Sequence, residues 1–304
     1  MVRLVNRVKP YIPKVAVFAA PAGVLMAAST VLGQLGNAPA HLPEVVVTNE
    51  VPALQEASPV GPYQQPEWTT ERRFPGTRVY LQQMPWNVGV EQWMRGRYYH
   101  DGTAETRFQE EAEVGLPYRF QLDLYETWAI DQNRRIDEEE GSAELRYALA
   151  DWGKIPLNPT LYLEYAEHDR SPNTLEGKLL LGTDFTAALH WGMNLACEQE
   201  LYGTGNTELA ASQGISYTLI DEKLSAGVEM EYYHEKAIGS RGQNWFLIGP
   251  SIQWLPTAST HFDLAPLVGC THDAPEVELY LIFGYDFGTG TKKEHYAPAS
   301  VRGQ

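Results

Sequence analysis

Apolar and polar residues alternate along several stretches of the chain. At 224–232 every second residue is apolar, and the residues between them are serine, glycine and glutamate. An apolar residue at every second position recurs at 120–124, 191–197 and 277–287. Because successive side chains of a β-strand point to opposite faces, each stretch predicts a strand with one apolar and one polar face.

About twelve segments of this kind follow one another after residue 86, separated by turn-forming residues. They predict an all-β fold, an antiparallel transmembrane β-barrel of about 12 strands. No later apolar stretch approaches the length of a membrane-spanning helix, so strands would make any crossing of a bilayer there. Pro250 and Pro266 fall inside predicted strands and predict a bulge at each, since proline cannot donate a ladder hydrogen bond. The predicted segments are 87–99, 104–115, 117–131, 141–151, 159–167, 174–185, 188–202, 207–219, 223–235, 243–254, 260–271 and 276–288.

The connections between the segments are of two alternating kinds. Every second connection, beginning with 100–104, is polar and mostly charged, whereas the connections between them are short or less charged. Outer-membrane barrels have longer loops on the outer side and tight turns on the periplasmic side. The alternation therefore predicts an outer-membrane location with both termini in the periplasm.

The first 40 residues have the order of a secretory signal. Four basic residues, the last of them Lys14, precede an apolar stretch at 15–35, and no acidic residue occurs there. Residues 1–40 are therefore predicted to be a signal peptide. A retained membrane anchor is the alternative, because the stretch approaches the ~18 residues that a span needs.

The remaining sequence divides into three parts. Residues 41–86 are rich in proline and lack a periodic pattern, which predicts an extended periplasmic arm. The barrel is predicted at 87–288, and a polar tail follows at 289–304. Without residues 1–40 the chain keeps 19 basic and 39 acidic residues, a net charge of −20. An acidic chain repels phosphates, so nucleic acid is not an expected partner.

The polar face of the predicted strands is rich in charge. It has two interpretations: an acid-rich pore or pocket for small polar or cationic solutes, or a nearly filled interior in which acids and bases pair and only hold the barrel together. The sequence leaves both open. The predicted lumen-facing residues are Arg107, Glu111, Arg119, Asp123, Glu144, Arg146, Glu176, Lys178, Asp184, Glu198, Glu229, Glu231, Asp263, Glu278 and Asp286.

Two short stretches near the end of the chain carry a family resemblance. Ile248-Gly249-Pro250-Ser251-Ile252-Gln253-Trp254-Leu255-Pro256-Thr257 and Phe283-Gly284-Tyr285-Asp286-Phe287 resemble bacterial outer-membrane barrel families named for phenol degradation, the meta-pathway, or for transport. The resemblance implies an outer-membrane barrel with a transport role. Such barrels commonly end on an aromatic residue that the barrel assembly machinery reads; here a polar tail follows Phe287. That machinery, outer-membrane lipid and a small solute are the implied partners.

Catalytic patterns are lacking in the sequence. No serine stands in a glycine-flanked motif, and no histidine stands beside a serine with a third orienting group, so an enzyme is not expected and no cofactor is predicted. A non-conducting structural or adhesive barrel stays as the alternative to a channel, and a barrel-wall lipid hydrolase as a more distant one. The four acids at 137–140 predict a solvated outer loop or, alternatively, divalent-cation bridging to lipopolysaccharide.

Histidines followed by an acidic residue recur where strands enter the charged loops. His100, His168, His234 and His272 all have this setting. The recurrence is explained either by turn formation or by a rim site for zinc or copper. Strand spacing would allow His100, His234 and His272, but not His168, to contribute to such a site.

Overall fold

The computed structural model describes residues 54–131, 136–203 and 205–287. Two two-residue strands, β1 (Pro59–Val60) and β2 (Gln65–Pro66), pair near the start, among 3-10 turns at Gln55–Ala57 and Glu67–Thr70. Twelve longer strands follow. They are β3 (Val88–Tyr98), β4 (Ala104–Leu116), β5 (Phe120–Asp131), β6 (Ile136–Ala148), β7 (Thr160–His168), β8 (Thr174–Thr186), β9 (Leu189–Glu200), β10 (Thr207–Ile220), β11 (Leu224–Lys236), β12 (Gln243–Thr257), β13 (Thr260–Gly269) and β14 (Val277–Phe287).

The twelve strands form a closed antiparallel barrel in chain order. Each strand pairs with the next, and β14 closes the barrel against β3 with Phe287 opposite Val88. This confirms the predicted fold class. Closure leaves the sheet without edge strands, so its backbone hydrogen bonds are made between strands. Among the described residues, no helix has the length and apolar character needed to cross a bilayer.

Two strand ends differ from the prediction. The segment predicted from residue 117 begins at Phe120, because Tyr118 and Arg119 have φ values of 61° and 67° and form a left-handed turn. The segment predicted from residue 141 begins at Ile136, because the backbone of residues 136–140 continues the ladder with β5. The acidic run at 137–140 has no apolar alternation, so its strand character could not be seen in the sequence.

The two strand prolines interrupt the ladder without a bulge. Ile248 pairs with Val268 and Ile252 pairs with Leu264, so the register is the same on both sides and places Pro250 opposite Pro266. No rung joins β12 and β13 between those two pairs. The predicted bulges are therefore wrong at these positions: two prolines that lack N–H donors face each other, and the strands remain in register.

Residues 54–87, which we call the lumenal arm, enter the barrel, and most of their side chains are buried there. Their side chains are among the most buried in the protein; Phe74 and Leu81 are 0% exposed and Arg72 is 2% exposed. The sequence predicted a periplasmic arm over 41–86, and the structure corrects its location from residue 54 onward. The cause is chemical: polar and basic groups of the arm find partners on the polar inner face of the strands. The predicted signal peptide at 1–40, the predicted arm before residue 54 and the predicted tail at 289–304 lie outside the described residues.

Candidate functional site

The lumenal arm enters and leaves the barrel at the end that carries the short turns. At its start, the amides of Gln55 and Glu56 donate to the carboxylate of Asp221 in the β10–β11 turn, at 2.8 and 3.2 Å. At its end, the amide of Trp86 donates to the carbonyl oxygen of Gly115 near the end of β4, at 2.7 Å. The arm is therefore a loop inserted into the barrel from one side.

The tip of the lumenal arm reaches the middle of the barrel wall. The amide of Gly76 donates to Oε2 of Glu229 at 2.8 Å. The backbone of Arg78 exchanges two hydrogen bonds with the side-chain amide of Asn194, at 2.8 and 2.7 Å. Glu229 and Asn194 lie at the middle of β11 and β9. The arm thus occupies the half of the lumen on the short-turn side.

Three glycines on neighbouring strands make room for the apolar side chains of the arm. Gly192 of β9 pairs directly with Gly182 of β8 and with Gly214 of β10. A Cβ atom at Gly214 would lie 2.4 Å from the Phe74 ring, and Cβ atoms at Gly182 and Gly192 would lie 2.4 and 2.5 Å from Val79. The wall therefore contains a groove that only glycine backbone leaves open, as expected where another chain segment approaches closely.

Two arginines of the arm bind acids of β3 and β4. Arg72 Nε lies 2.7 Å from Glu91 Oε2, and the Arg78 guanidinium lies 2.9 Å from Glu111 and 3.7 Å from Glu113. These three carboxylates are 4% exposed or less. Burial acts to lower the pKa of Arg78, but the charges of Glu111 and other acids outweigh it and raise the pKa well above its usual range. Removing either guanidinium would leave buried negative charge unpaired, which is strongly unfavourable.

A third arginine belongs to the wall and joins the same network. Arg146 of β6 lies 2.7 Å from Asp123, and it also binds Glu144 and the side chain of Gln82. The amide of Gln82 donates in turn to the side-chain oxygen of Gln121, at 2.8 Å. Arm and wall therefore share one hydrogen-bonded set of charges.

The arm is also anchored by charge near the short-turn end. Arg73 and His190 both lie 3.0 Å from Oε1 of Glu56, and His190 contacts Asp184 at 2.6 Å. The ring of Trp68 stacks on His190 at 4.5 Å between centroids. Burial acts to raise the pKa of Glu56, but the hydrogen bond with His190 and the charge of Arg73 lower it below its ordinary value.

Two groups of three lumenal carboxylates could in principle hold a metal ion. Their ligand atoms lie within 4.8 Å of one another. The groups are Glu91 with Glu111 and Glu113, and Glu111 with Asp123 and Glu144. The arginines described above already bind these carboxylates, so a metal would have to displace a guanidinium from each group.

An open cavity lies between the tip of the arm and the charged loops. Its volume is about 610 Å³, and Pro75, Gly76 and Arg78 form its floor. Carboxylates with Lys178 line its wall on β7–β11, and three arginines with Glu105 line its wall on β3 and β4, which are the strands across the ring from β9 and β10. The carboxylates on the first wall include Glu164, Glu176, Glu198, Glu208 and Glu235; the arginines are Arg95, Arg97 and Arg107. Opposite charges on facing walls produce an electric field across the cavity.

The structure places most of the predicted lumenal residues on the inner face of the wall. Two of them accept hydrogen bonds from the arm. The side-chain amide of Gln83 donates to Asp286 at 2.6 Å, and the indole N–H of Trp68 donates to Asp184 at 2.6 Å. Elsewhere on this face, Asp263 contacts His261 at 2.5 Å and Glu278 binds Arg97 at 3.0 Å. The full inner set is Arg107, Glu111, Asp123, Glu144, Arg146, Glu176, Lys178, Asp184, Glu198, Glu229, Glu231, Asp263, Glu278 and Asp286.

Arg119 is the exception among the predicted lumenal residues. It lies in the left-handed β4–β5 turn, donates to the carbonyl of Ala148 at 3.1 Å and binds Asp151 at 3.3 Å. Alternation assigns a face only within a strand, and Arg119 precedes the start of β5. Its side chain therefore belongs to the short-turn rim.

The rim histidines do not converge on one another. His100 contacts Glu276 at 3.0 Å, His234 contacts Asn244 at 2.9 Å, and His272 is fully exposed beside Asp273. Among the described residues, the two carboxylate groups compact enough to hold a metal include no histidine. The acidic run at 137–140, predicted to be a solvated outer loop or, alternatively, a lipopolysaccharide-binding site, belongs to β6, so the loop prediction is wrong for its backbone. The side chains at 137–139 lie outside the described residues.

Sequence reasoning missed the arm inside the lumen and the glycines that receive it. The inward positions of β8, β9 and β10 each contain a glycine, and an inward glycine in a strand is a signal of close backbone approach. The cluster of Arg72, Arg73 and Arg78 in an otherwise acidic chain was a second signal.

Comparison with known proteins yields a likeness of fold. No family model and no curated protein matches the chain. An outer membrane channel from Pseudomonas putida F1 is 9% identical over 68% of this chain and 98% of its own, with a TM-score of 0.50. The NanC porin is 10% identical over 66% of this chain and 98% of its own, with a TM-score of 0.47. The KdgM porin is 11% identical over 66% of this chain and 99% of its own, also with a TM-score of 0.47. The closed barrel of this chain is thus similar to that of an outer membrane channel.

Proposed function

We propose that this protein is an outer-membrane channel whose lumenal arm closes the short-turn half of the barrel, and that it passes small polar or cationic solutes when the arm moves. The observation that carries the proposal is the cavity between the arm and the charged loops. Its lining includes eight glutamates against five arginines and lysines, so the cavity favours cations over anions.

The outer face of the wall supports the membrane location. On β14, Leu281 and Phe283 are 42% and 41% exposed, whereas Ile282 between them is 0% exposed. An apolar outer face around a polar interior suits lipid outside and water inside. The likeness to the Pseudomonas putida channel agrees with this arrangement. We place the short turns and both termini in the periplasm, lipopolysaccharide around the charged loops, and the barrel assembly machinery at β14.

The contacts of the arm suit a movable closure. Most of them are hydrogen bonds and ion pairs, such as those of Gly76 with Glu229 and of Arg78 with Glu111, and water or a cationic solute can replace such contacts. The apolar contacts concentrate on Phe74, Tyr80, Leu81 and Trp68. Movement of the arm would join the cavity to the periplasmic side.

A non-conducting structural barrel is the second candidate. The observation that favours it is the pairing of the arm's arginines with buried acids of the wall, which would serve equally to fill the interior permanently. The two candidates differ in whether the arm leaves its place.

A reversible cross-link tests the proposal. The hydroxyls of Thr77 on the arm and Ser212 on β10 lie 3.0 Å apart, close enough for a disulfide in the double variant Thr77→Cys/Ser212→Cys. Cys197→Ala and Cys270→Ala would remove the two exposed native thiols. We expect cation-selective current in planar bilayers when the cross-link is reduced and none when it is oxidised, while Thr77→Cys alone does not respond to the redox state. Absence of current in both states would favour the non-conducting barrel.

A further inference from the structure

Eight lumenal acids stand in one continuous row along the hydrogen-bond register. Each lies on its own strand, from β4 to β11, and each is the direct partner of the next in the ladder. We call this row the carboxylate ladder. Its inner steps are Glu113, Asp123 and Glu144, and its outer steps are Glu164, Glu176, Glu198, Glu208 and Glu235.

The carboxylate ladder climbs through the barrel. Glu113 lies near the short-turn end of β4, which ends at Leu116, whereas Glu235 lies beside Lys236 at the charged-loop end of β11. Strands of a barrel tilt against its axis, so a row that follows the hydrogen-bond direction winds along the wall. The ladder therefore runs from the part of the lumen filled by the arm to the mouth of the cavity.

The inner and outer steps differ in their partners. Guanidinium groups hold the inner steps: Arg78 lies 3.7 Å from Glu113, and Arg146 lies 2.7 Å from Asp123. On the outer steps Lys178 binds Glu176 at 2.6 Å. The carboxylates of Glu198 and Glu208 make no hydrogen bond or ion pair with any residue in the described part of the chain, although the two residues pair through the backbone ladder.

One carboxylate oxygen on each of two inner steps accepts no hydrogen bond from the described part of the chain. Glu113 and Glu144 are each 1% exposed, and these oxygens, Oε1 of Glu113 and Oε2 of Glu144, have only guanidinium groups at 3.5–3.9 Å as partners. Like charges directly opposite each other across a ladder are destabilising. A row of this kind is therefore costly for stability and calls for a ligand that supplies positive charge.

The spacing of the ladder fits an extended cation better than a metal ion. Neighbouring strands are about 4.8 Å apart, so the ladder presents a negative charge about every 5 Å. Ammonium groups separated by three or four methylenes repeat at a similar distance. Among the described residues, the carboxylate groups compact enough for a metal ion contain none of the outer steps.

Aromatic rings beside the ladder and on the opposite wall already contact cations. The Lys178 ammonium lies 4.3 Å from the centroid of the Tyr162 ring, and the Arg97 guanidinium lies 5.0 Å from that of Trp245; both rings line the cavity. Such faces attract ammonium and guanidinium groups. We propose that the carboxylate ladder is a binding track for linear organic polycations of the polyamine class, and that Arg78 of the arm occupies an inner step of it. The proposal rests on the proposed channel function for its biological meaning.

Binding of spermidine to the full-length protein in detergent tests the track without any need for current. We expect the variant Glu176→Gln/Glu198→Gln/Glu208→Gln to bind spermidine on the order of tenfold or more weakly than wild type, since three charge contacts are lost. The matched control is Glu110→Gln/Glu126→Gln, which neutralises two acids on the outer face of the wall and should leave the affinity unchanged. Unboiled and boiled samples on gels verify that each variant is folded.

Two outcomes would overturn the track. One is equal affinity of wild type and the triple variant for spermidine; the other is displacement of spermidine by magnesium at equal concentration, which would indicate a site for compact metal ions. As further support, spermidine should bind more tightly to Arg78→Ser than to wild type, because the competing guanidinium is gone. Binding without current in any variant would contradict the channel and leave the track standing, so the two failures are distinguishable.

Discussion

Phe74 of the lumenal arm lies directly on Gly214 of β10, where a Cβ atom would be 2.4 Å from the phenylalanine ring. Phe74 is 0% exposed, and a Cβ atom at the neighbouring Gly192 would also lie 3.4 Å from its ring. This contact makes the position of the arm depend on the absence of a side chain in the wall.

We expect Gly214→Val to drive the arm out of its groove. Overpacking of a filled interior costs typically 1–3 kcal/mol, and here the arm can move more easily than the closed barrel. The measurement is limited proteolysis of the arm in detergent, together with conductance in planar bilayers; both should rise. Gly177→Val is the matched control, because Gly177 on β8 has no atom within 4 Å of its Cβ position. Equal protection of the arm in both variants would show that the groove does not position it.

Acid should loosen the anchor of the arm at Glu56. The ordinary pKa of a glutamate is about 4.5, and the folded protein lowers that of Glu56 below this value. The ionised form of Glu56 therefore stabilises the arm above pH 4.5. This stabilisation is lost as the pH falls through the lowered pKa. Arm protection against an acid-active protease should therefore decrease below pH 4.5. Glu56→Gln should be less protected at neutral pH and should lack this component of the pH dependence. Parallel pH curves for wild type and Glu56→Gln would contradict the assignment.

The barrel was readable from the sequence because a strand period of two appears directly as alternation. The same alternation placed Glu229 and Met230 on opposite faces, and β11 has them so. The lumenal arm was not readable in this way, since an irregular segment has no period to detect. Its position depends on contacts between residues far apart in sequence, such as Arg73 with Thr218 and Arg78 with Glu111. The rim histidines were also only partly predictable. The sequence spacing placed His234 at the end of a strand, but it could not show that the His234 side chain contacts Asn244 on the next strand.

Met230 tests the assignment of the outer face. It lies at the middle of β11 between Gln213 and Ile248 on the outer face. We expect Met230→Arg to lower the free energy of unfolding in lipid by about 2–4 kcal/mol if this position is at the bilayer midplane. Leu209→Arg, near the charged-loop end of β10, should cost about 0–1 kcal/mol because it lies near the interface. Equal costs for the two variants would mean that the wall is not spanned by lipid at this depth.

The last prediction concerns two acids on the outer face of the wall. Glu110 lies at the middle of β4, directly opposite Glu126 of β5, and both are exposed. Carboxylates in contact with lipid are unfavourable, and two of them directly opposite each other repel. Removing one should relieve the repulsion felt by the other. We therefore expect Glu110→Leu to raise the free energy of unfolding in lipid by about 1 kcal/mol, and Glu126→Leu to add less in that background than alone.

Urea titration of the protein in lipid vesicles measures both effects. The comparison variant is Leu124→Ile on the outer face of β5, which changes shape without charge and should have little effect. Simple repulsion would be contradicted if Glu110→Leu were less stable than wild type. It would also be contradicted if the Glu110→Leu particle in detergent had a smaller mass than the wild-type particle, since a bound partner would then have been lost. Either result would mean that the two acids bind a cationic partner within the membrane, because only a bound positive charge would turn this costly pair into a stabilising one.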